Sequence, residues 1–142
     1  LNFKNLKSRI KKNEGYSNKP YKDQLGFYTI GYGHLIKKKE DRYFHKTFSK
    51  KYFENIFELD FKKSAEDYYK KFNKKKHKEE EKELLIEMIY QLGIKNVVKF
   101  KRLHLNLEKK QKYMVCLEMI DSLWYKQTPK RVENLIKNFI KK

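Results

Sequence analysis

A glutamate near the beginning of the chain has a position that could support acid catalysis. Glu14 follows Phe3, Leu6 and Ile10 at helical spacing and directly precedes Gly15, so it is predicted to end the apolar stripe of a helix. Burial and the negative end of the helix dipole would both favour the protonated acid. A carboxylic acid that stays protonated near neutral pH can protonate a leaving oxygen, as the general acid of a glycosidase does. The same position also fits a glutamate that reaches solvent from a helix end.

A second carboxyl group and a hydroxyl follow at short spacing. Asp23 comes nine residues after Glu14, at the start of a glycine-rich segment whose polar turns should keep it ionised. Hydrolysis of a glycosidic bond typically uses two carboxyl groups that flank the bond. Thr29, on the strand that returns past the turn, could hold a water molecule against Asp23. Taken singly, Asp23 fits ordinary turn chemistry and Thr29 an ordinary β-branched strand residue.

The elements that must position these side chains are a helix, a small sheet and a long helix. Gly15 is predicted to end the first helix, and residues 20–33, where aromatic residues alternate with glycines, to form a hairpin or short sheet. Residues 37–47 are predicted to be a loop or a brief helix. Ser49 is a candidate N-cap for a long helix that ends in the lysine-rich stretch 70–78. One side of that helix carries Tyr52, Phe53, Ile56, Phe57 and Asp60.

The rest of the chain is helical in pattern. An apolar stripe that begins at Leu84 is closed by Gly93, shorter apolar stretches follow, and Thr128 before Pro129 is typical of an N-cap with proline at the first helical position. No internal repeat is visible. The pattern predicts an α+β fold that is mostly helical.

Composition limits the class of protein. The chain of 142 residues fits about one domain, and its 15% aromatic content supports a folded core although 38% of the residues are charged. The net charge of +18 favours polyanionic partners such as nucleic acid, an anionic membrane surface or a bacterial envelope, but compositional bias explains it equally well. Cys116 excludes an intramolecular disulfide and is interpreted as a core residue.

Several other classes of site lack support in the sequence. The four histidines, at positions 34, 45, 77 and 104, lack ligand spacing, so no metal site is predicted, and no cofactor motif or activated nucleophile is apparent. No segment has the pattern of a transmembrane helix or signal peptide, so a soluble protein without its own export signal is expected. Leu1 leaves open a cleaved or trimmed segment before it.

Three stretches of sequence resemble the T-even phage lysozymes, a family of glycoside hydrolases. The first is Asn13-Glu14-Gly15 with Tyr21-Lys22-Asp23 and the run from Gly26 to Leu35, the second is Trp124 to Arg131, and the third is Tyr90 to Gly93 with Phe100. They keep the family's order over nearly the whole chain. The resemblance implies a lysozyme-like fold, in which a small β-hairpin lobe of residues 14–60 and a helical lobe of residues 61–142 plus helix 1–13 are joined by a long helix, with a cleft between them.

The resemblance also implies roles for individual residues. Glu14 would be the general acid, Asp23 the carboxylate that activates or stabilises, and Thr29 the residue that places the attacking water. The family is usually described as inverting, which needs the carboxyl groups about 6.5–9.5 Å apart. Arg131 matches a family arginine and is expected near the catalytic glutamate, and Trp124 is expected to support the site. His34 and Asp60 are expected to form a structural pair. The residues expected in the substrate cleft are Leu35, Tyr90 and Gln91.

The expected substrate is bacterial peptidoglycan, cut between N-acetylmuramic acid and N-acetylglucosamine. The enzyme is expected to be a monomer that adheres to an anionic cell envelope, without a specific nucleic acid partner. As in a phage endolysin, it would wait in the host cytoplasm before release to the wall, or it would be part of the virion. The stretch from His34 to Asp60 is shorter than in the family, and Leu103 and Glu118 replace residues of its saccharide subsites.

Two other functions stay open at this point. A lysozyme-like module of a phage particle could bind glycan or serve a structural role with weak catalysis. A basic nucleic-acid-binding protein fits the charge, but it lacks a helix-turn-helix, zinc or RNA-binding signature and leaves the glycine-rich segment unexplained.

Overall fold

Eight α-helices and a small antiparallel sheet make up the computed structural model, which describes residues 3–141. The predicted α+β, mostly helical class is confirmed. The elements are α1 (Lys4–Glu14), β1 (Ser17–Lys22), β2 (Tyr28–Gly31), β3 (His34–Leu35), a 3₁₀ helix (Lys38–Phe44), α2 (Lys50–Phe72), α3 (Glu79–Leu92), α4 (Ile94–Val97), α5 (Lys101–Glu108), α6 (Lys112–Ile120), α7 (Leu123–Gln127) and α8 (Pro129–Ile140). By internal contacts the chain forms two compact units, divided within α2 after Lys63.

Helix α1 forms where the apolar stripe predicts it. Leu6 and Ile10 are completely buried, which is what their helical spacing requires. Gly15 ends the helix with a positive φ of 72°, and its N–H donates to the carbonyl oxygen of Lys11 at 2.9 Å. The sequence-based end of the helix is therefore confirmed, since a left-handed residue suits glycine.

The sheet has the order β1-β2-β3, and its register divides the side chains between two faces. Thr29 lies opposite Tyr21 on β1 and opposite Leu35 on β3, while Ile30 lies opposite His34. Directly opposed residues share a face and consecutive residues alternate. Tyr21, Thr29 and Leu35 therefore form one row across the sheet, and the completely buried Ile30 lies with His34 on the other face.

The face that carries Ile30 packs into the core of the first unit. Tyr43 of the 3₁₀ helix and Phe53 of α2 form this core with Ile30. Partly buried residues around it are Ile36, Phe48, Tyr52 and Ile56. The sheet is thus held against α2, and the opposite face keeps the row that contains Thr29.

Helix α2 starts at the predicted cap. The hydroxyl oxygen of Ser49 accepts a hydrogen bond from the backbone N–H of Tyr52 at 3.1 Å. Helix α1 is fixed to α2 by ion pairs from Lys7 to Glu58 at 2.8 Å and from Lys11 to Glu54 at 2.9 Å. Internal contacts group α1 with the sheet and the first part of α2. The lobes implied by the family resemblance stay a prediction.

The second unit consists of the end of α2 and helices α3 to α8. Its buried side chains come from nearly every helix: Leu84, Leu85, Ile86, Met88, Val97, Leu103, Leu107, Val115, Met119, Val132, Leu135 and Phe139. Cys116 is also buried, as predicted, and burial raises the pKa of its thiol. Within residues 3–141, no helix is both long enough and apolar enough to cross a membrane.

The start of α8 differs from the prediction in one detail. Pro129 is the first helical residue, as predicted, but the hydroxyl of Thr128 does not cap the helix. It donates instead to the carbonyl oxygen of Trp124 at 3.2 Å. The boundary is correct and the cap is wrong, because the preceding turn uses the hydroxyl.

Candidate active site

Glu14 lies at the end of α1, with its side chain against the turn between β2 and β3. A β-carbon built on Gly33 would lie 2.6 Å from Cδ and 3.0 Å from Cγ of Glu14, and it would overlap the carboxyl oxygen Oε1. Gly33 also has a positive φ of 76°. A glycine is therefore required on two grounds, and its bare backbone leaves the space that the Glu14 carboxyl group occupies.

Asp23 is fixed by the hairpin turn that it starts. Its Oδ1 accepts hydrogen bonds from the backbone N–H groups of Leu25 and Phe27, both at 2.9 Å. Its own N–H donates to the carbonyl oxygen of Phe27 at 2.9 Å. These bonds set the direction of the carboxylate, and Oδ2 makes no hydrogen bond to the described residues, so it can accept one from water.

Thr29 is buried, and its hydroxyl proton has a defined acceptor. The side chain is 3% exposed, and Oγ1 donates to the carbonyl oxygen of Phe27 at 3.0 Å. The same carbonyl therefore receives bonds from the hydroxyl of Thr29 and from the backbone N–H of Asp23. With its proton committed, Oγ1 can still accept a hydrogen bond.

Tyr21 connects Glu14 and Asp23 electrostatically. Burial raises the pKa of its phenol, and the negative charges of Glu14 and then Asp23 raise it further. Two carboxyl groups nine residues apart therefore act on the same tyrosine. Sequence reasoning did not single out Tyr21, although its position opposite Thr29 in a hairpin could have indicated it.

His34 lies between two carboxylates. Nδ1 is 2.7 Å from Oδ2 of Asp60, the predicted partner, and Nε2 is 3.0 Å from Oε1 of Glu40. Burial alone would lower the pKa of His34, but the bonds and charges of Asp60 and Glu40 outweigh it and raise the pKa above 6.5. An imidazolium can donate from both nitrogens, so this group joins β3 to α2 and to the 3₁₀ helix. The sequence missed Glu40, which is not at a helical spacing from His34.

Predicted positions in the second unit form a hydrogen-bonded group. Nε1 of Trp124 donates to Oε1 of Gln91 at 3.0 Å, and Nε2 of Gln91 donates to Oγ1 of Thr128 at 3.3 Å. The amide of Gln91 thus has a partner at each end. Tyr90, the neighbouring cleft candidate, is half-buried.

Arg131 contacts an acid that the sequence analysis passed over. Its Nε is 3.4 Å from Oε2 of Glu87, which is buried, and only 10% of the Arg131 side chain is exposed. The signal was available, since Glu87 is a lone acid within the apolar run from Leu84 to Ile89. The expected approach of Arg131 to Glu14 stays a prediction.

The three predicted catalytic residues all lie in the first unit. Glu14 packs against the turn after β2, Asp23 starts the hairpin and Thr29 lies on β2. Leu35, opposite Thr29, is half-exposed, and the catalytic and cleft roles of these residues stay predictions. Two carboxyl groups and a water suffice to hydrolyse a glycosidic bond. Among the residues that the structure describes, no cluster of three or more His, Cys, Asp or Glu side chains could hold a metal ion.

Comparisons with known proteins identify the family of this chain. The phage lysozyme family model matches residues 11–138. Two similar proteins from Dictyostelium discoideum are "Probable T4-type lysozyme 2", 32% identical over 94% of this chain and 92% of that protein, and "Probable T4-type lysozyme 1", 30% identical over 92% of this chain and 91% of that one. The match confirms the predicted resemblance and the enzyme class. The chain therefore belongs to the phage lysozyme family, the glycoside hydrolases that degrade peptidoglycan.

Proposed function

We propose that this lysozyme hydrolyses the β-1,4 bond between N-acetylmuramic acid and N-acetylglucosamine by a single displacement that inverts the anomeric carbon. Glu14 is the general acid, Asp23 the general base, and Thr29 binds the attacking water. The observation that carries the proposal is that the carboxyl group of Glu14 packs against Gly33, in the turn that follows the strand of Thr29, while Asp23 is held at the start of the same hairpin. This placement supports one site for the acid, the base and the hydroxyl.

The proposed step balances with one water molecule. Glu14 gives its proton to the glycosidic oxygen as the bond from that oxygen to the anomeric carbon breaks. Asp23 removes a proton from the water, whose oxygen forms the new bond to the anomeric carbon. The step leaves Glu14 ionised and Asp23 protonated, and exchange with solvent restores both groups.

The local structure supports the different roles of the two carboxyl groups. Asp23 is oriented by two backbone N–H donors and keeps Oδ2 for water, which suits a base. Glu14 lies against the backbone of Gly33 at the C-terminal end of α1, where the helix dipole disfavours a further negative charge. A difference in environment is what separates an acid from a base in such enzymes.

The first experiment measures loss of turbidity of a peptidoglycan suspension. Glu14→Gln should reduce the rate at least about 1000-fold, because it removes the proton donor but keeps the shape. Glu58→Gln is the matched control, since Glu58 is an exposed glutamate paired with Lys7 and should leave the rate unchanged. Equal activity of Glu14→Gln and the native chain would exclude Glu14 as the acid. Glycan binding without cleavage by the native chain would favour a binding module.

A second measurement tests the stereochemistry. Proton NMR of the first product should show the α-anomer, since a single displacement inverts a β-linkage. The β-anomer as first product would indicate a retaining reaction and would overturn the proposed role of Asp23 as a base.

Charge supports attachment to an anionic envelope. The net charge of +18 attracts polyanions over a distance set by salt. Hydrolysis of whole walls should therefore fall as salt rises, while hydrolysis of a short neutral chito-oligosaccharide should change little. An equal effect of salt on the hydrolysis of both substrates would show that charge attraction does not contribute. Storage in a host cytoplasm or in a virion stays a prediction.

A further inference from the structure

We propose that Tyr21 is a positioning residue for the attacking water, to which its phenol O–H supplies the hydrogen-bond donor that Asp23 and Thr29 lack. The inference deepens the proposed function and rests on it.

Tyr21 is on the right face of the hairpin. Its Cα is the register partner of Thr29, and directly opposed residues of antiparallel strands point to the same side. Asp23 starts the turn directly after β1, and its charge acts on the phenol of Tyr21. Tyr21 thus shares a face with the hydroxyl that binds the water and precedes the proposed base by only two residues in the chain.

Neither Asp23 nor Thr29 can donate a hydrogen bond to the attacking water. A water molecule has two hydrogens and two lone pairs. The carboxylate of Asp23 can only accept a hydrogen bond. The hydroxyl of Thr29 has given its hydrogen to the carbonyl oxygen of Phe27, so it too can only accept from the water. These two partners use both hydrogens of the water.

The remaining lone pairs decide the direction of attack. One of them must point at the anomeric carbon, and a donor on the other would hold the water in that orientation. A water held by two acceptors alone can still rotate about the line that joins them. A third partner removes this freedom, and correct orientation of the reacting groups contributes directly to the rate.

Tyr21 can be that donor because its phenol stays protonated. Burial raises its pKa above 10.0, and the charges of Glu14 and Asp23 act in the same direction. The phenol therefore carries its hydrogen throughout the pH range in which a carboxyl pair is active. The negative charge of Asp23 also attracts the positive end of the O–H dipole.

The experiment compares Tyr21→Phe with Tyr28→Phe on the native, full chain. Tyr28 lies on β2 beside Thr29 but on the other face, and it is 47% exposed. We expect Tyr21→Phe to lower kcat about tenfold on a soluble peptidoglycan fragment, with KM within about twofold of the native value, because one hydrogen bond to the reacting water is lost. Tyr28→Phe should keep both constants. Thermal melts should show both variants folded like the native chain.

A double-mutant cycle separates this role from a structural one. Thr29→Val removes the other hydroxyl at the water with little change of shape. If both side chains hold one water, the combined loss in kcat is clearly smaller than the product of the single losses. If the loss in kcat of the double variant equals the product of the two single losses, Tyr21 and Thr29 do not hold the same water.

The outcomes also separate this inference from the function on which it rests. If the native chain hydrolyses peptidoglycan and Tyr21→Phe has the same kcat, the inference is wrong and the proposed function stands. If the native chain fails to hydrolyse peptidoglycan, both are overturned.

Discussion

The carboxyl group of Glu14 occupies the space that a β-carbon of residue 33 would take, so Gly33 and Glu14 form one packing unit. The helix that carries the acid and the turn after the Thr29 strand therefore meet at this contact. A change at Gly33 acts on Glu14 without altering any chemical group of the site.

Gly33→Ala should remove most of the activity while the protein stays folded. The added β-carbon would lie 2.6 Å from Cδ of Glu14, so the acid must move. A displacement of about 1 Å costs roughly 100-fold in rate. We expect kcat to fall by about that factor and the free energy of unfolding by about 1–2 kcal/mol, because φ is also positive.

Gly26→Ala is the matched control. Its φ is 86°, but a β-carbon there meets nothing within 4 Å. It should lose about 1 kcal/mol of stability and keep full activity, as determined by urea unfolding and turbidity assays. A Gly33→Ala variant as active as Gly26→Ala would contradict the packing argument.

The stability of the native chain should depend on pH through His34. The pKa of His34 is raised in the folded state. Its contribution to the free energy of unfolding is therefore fully present below its unfolded pKa of about 6.5, and it is lost as the pH rises through the folded pKa. Burial would raise the pKa of Glu40, but the backbone N–H of Lys37 and then His34 favour the carboxylate and lower it. The contribution of Glu40 to the free energy of unfolding is therefore lost as the pH falls below about 4.5. The pair of His34 and Glu40 therefore stabilises the fold most between about pH 4.5 and about pH 6.5.

Urea unfolding of the native chain and of His34→Asn at several pH values tests this dependence. From pH 6 to pH 9 the difference between the two in free energy of unfolding should shrink by about 2 kcal/mol, the worth of a charge-assisted hydrogen bond. Glu40→Gln should remove part of the dependence. Parallel curves for the native chain and His34→Asn would show that His34 is not charged.

Glu87→Gln should destabilise the second unit strongly. Glu87 is 3% exposed and its carboxylate lies 3.4 Å from Nε of Arg131. Replacing one charged member of a buried ion pair with a neutral group costs about 3–5 kcal/mol. Glu133→Gln on the exposed side of α8 should change stability by less than about 0.5 kcal/mol. Similar melting temperatures for the two variants would argue against a buried ion pair.

Gln91→Ala should act on stability more than on substrate binding. The amide joins Trp124 to Thr128, so its removal leaves the indole N–H without its acceptor. We expect a loss of about 1–2 kcal/mol in unfolding free energy and a KM within about twofold of the native value. A large rise in KM at unchanged stability would instead support the sequence-based role of Gln91 in the cleft.

The sequence by itself determined the features that depend on neighbouring residues. The stripe that ends at Glu14, the stop at Gly15, the cap at Ser49 and the start of α8 at Pro129 follow from helical spacing and terminal chemistry. The hairpin that carries Asp23 and Thr29 follows from strand and turn residues close together in the chain. Their spacing also carries the family resemblance, which the match to phage lysozymes confirms.

The tertiary structure decided which groups meet across long separations. Helical and strand periods show that a side chain faces inward, but they do not say what it meets there. The contact of Glu14 with Gly33, the second carboxylate on His34 and the acid beside Arg131 depend on how elements pack. The hydroxyl of Thr128 is a further example. The local capping rule predicts that it accepts a hydrogen bond from α8, but in the structure it donates to the carbonyl oxygen of Trp124 and accepts from the amide of Gln91.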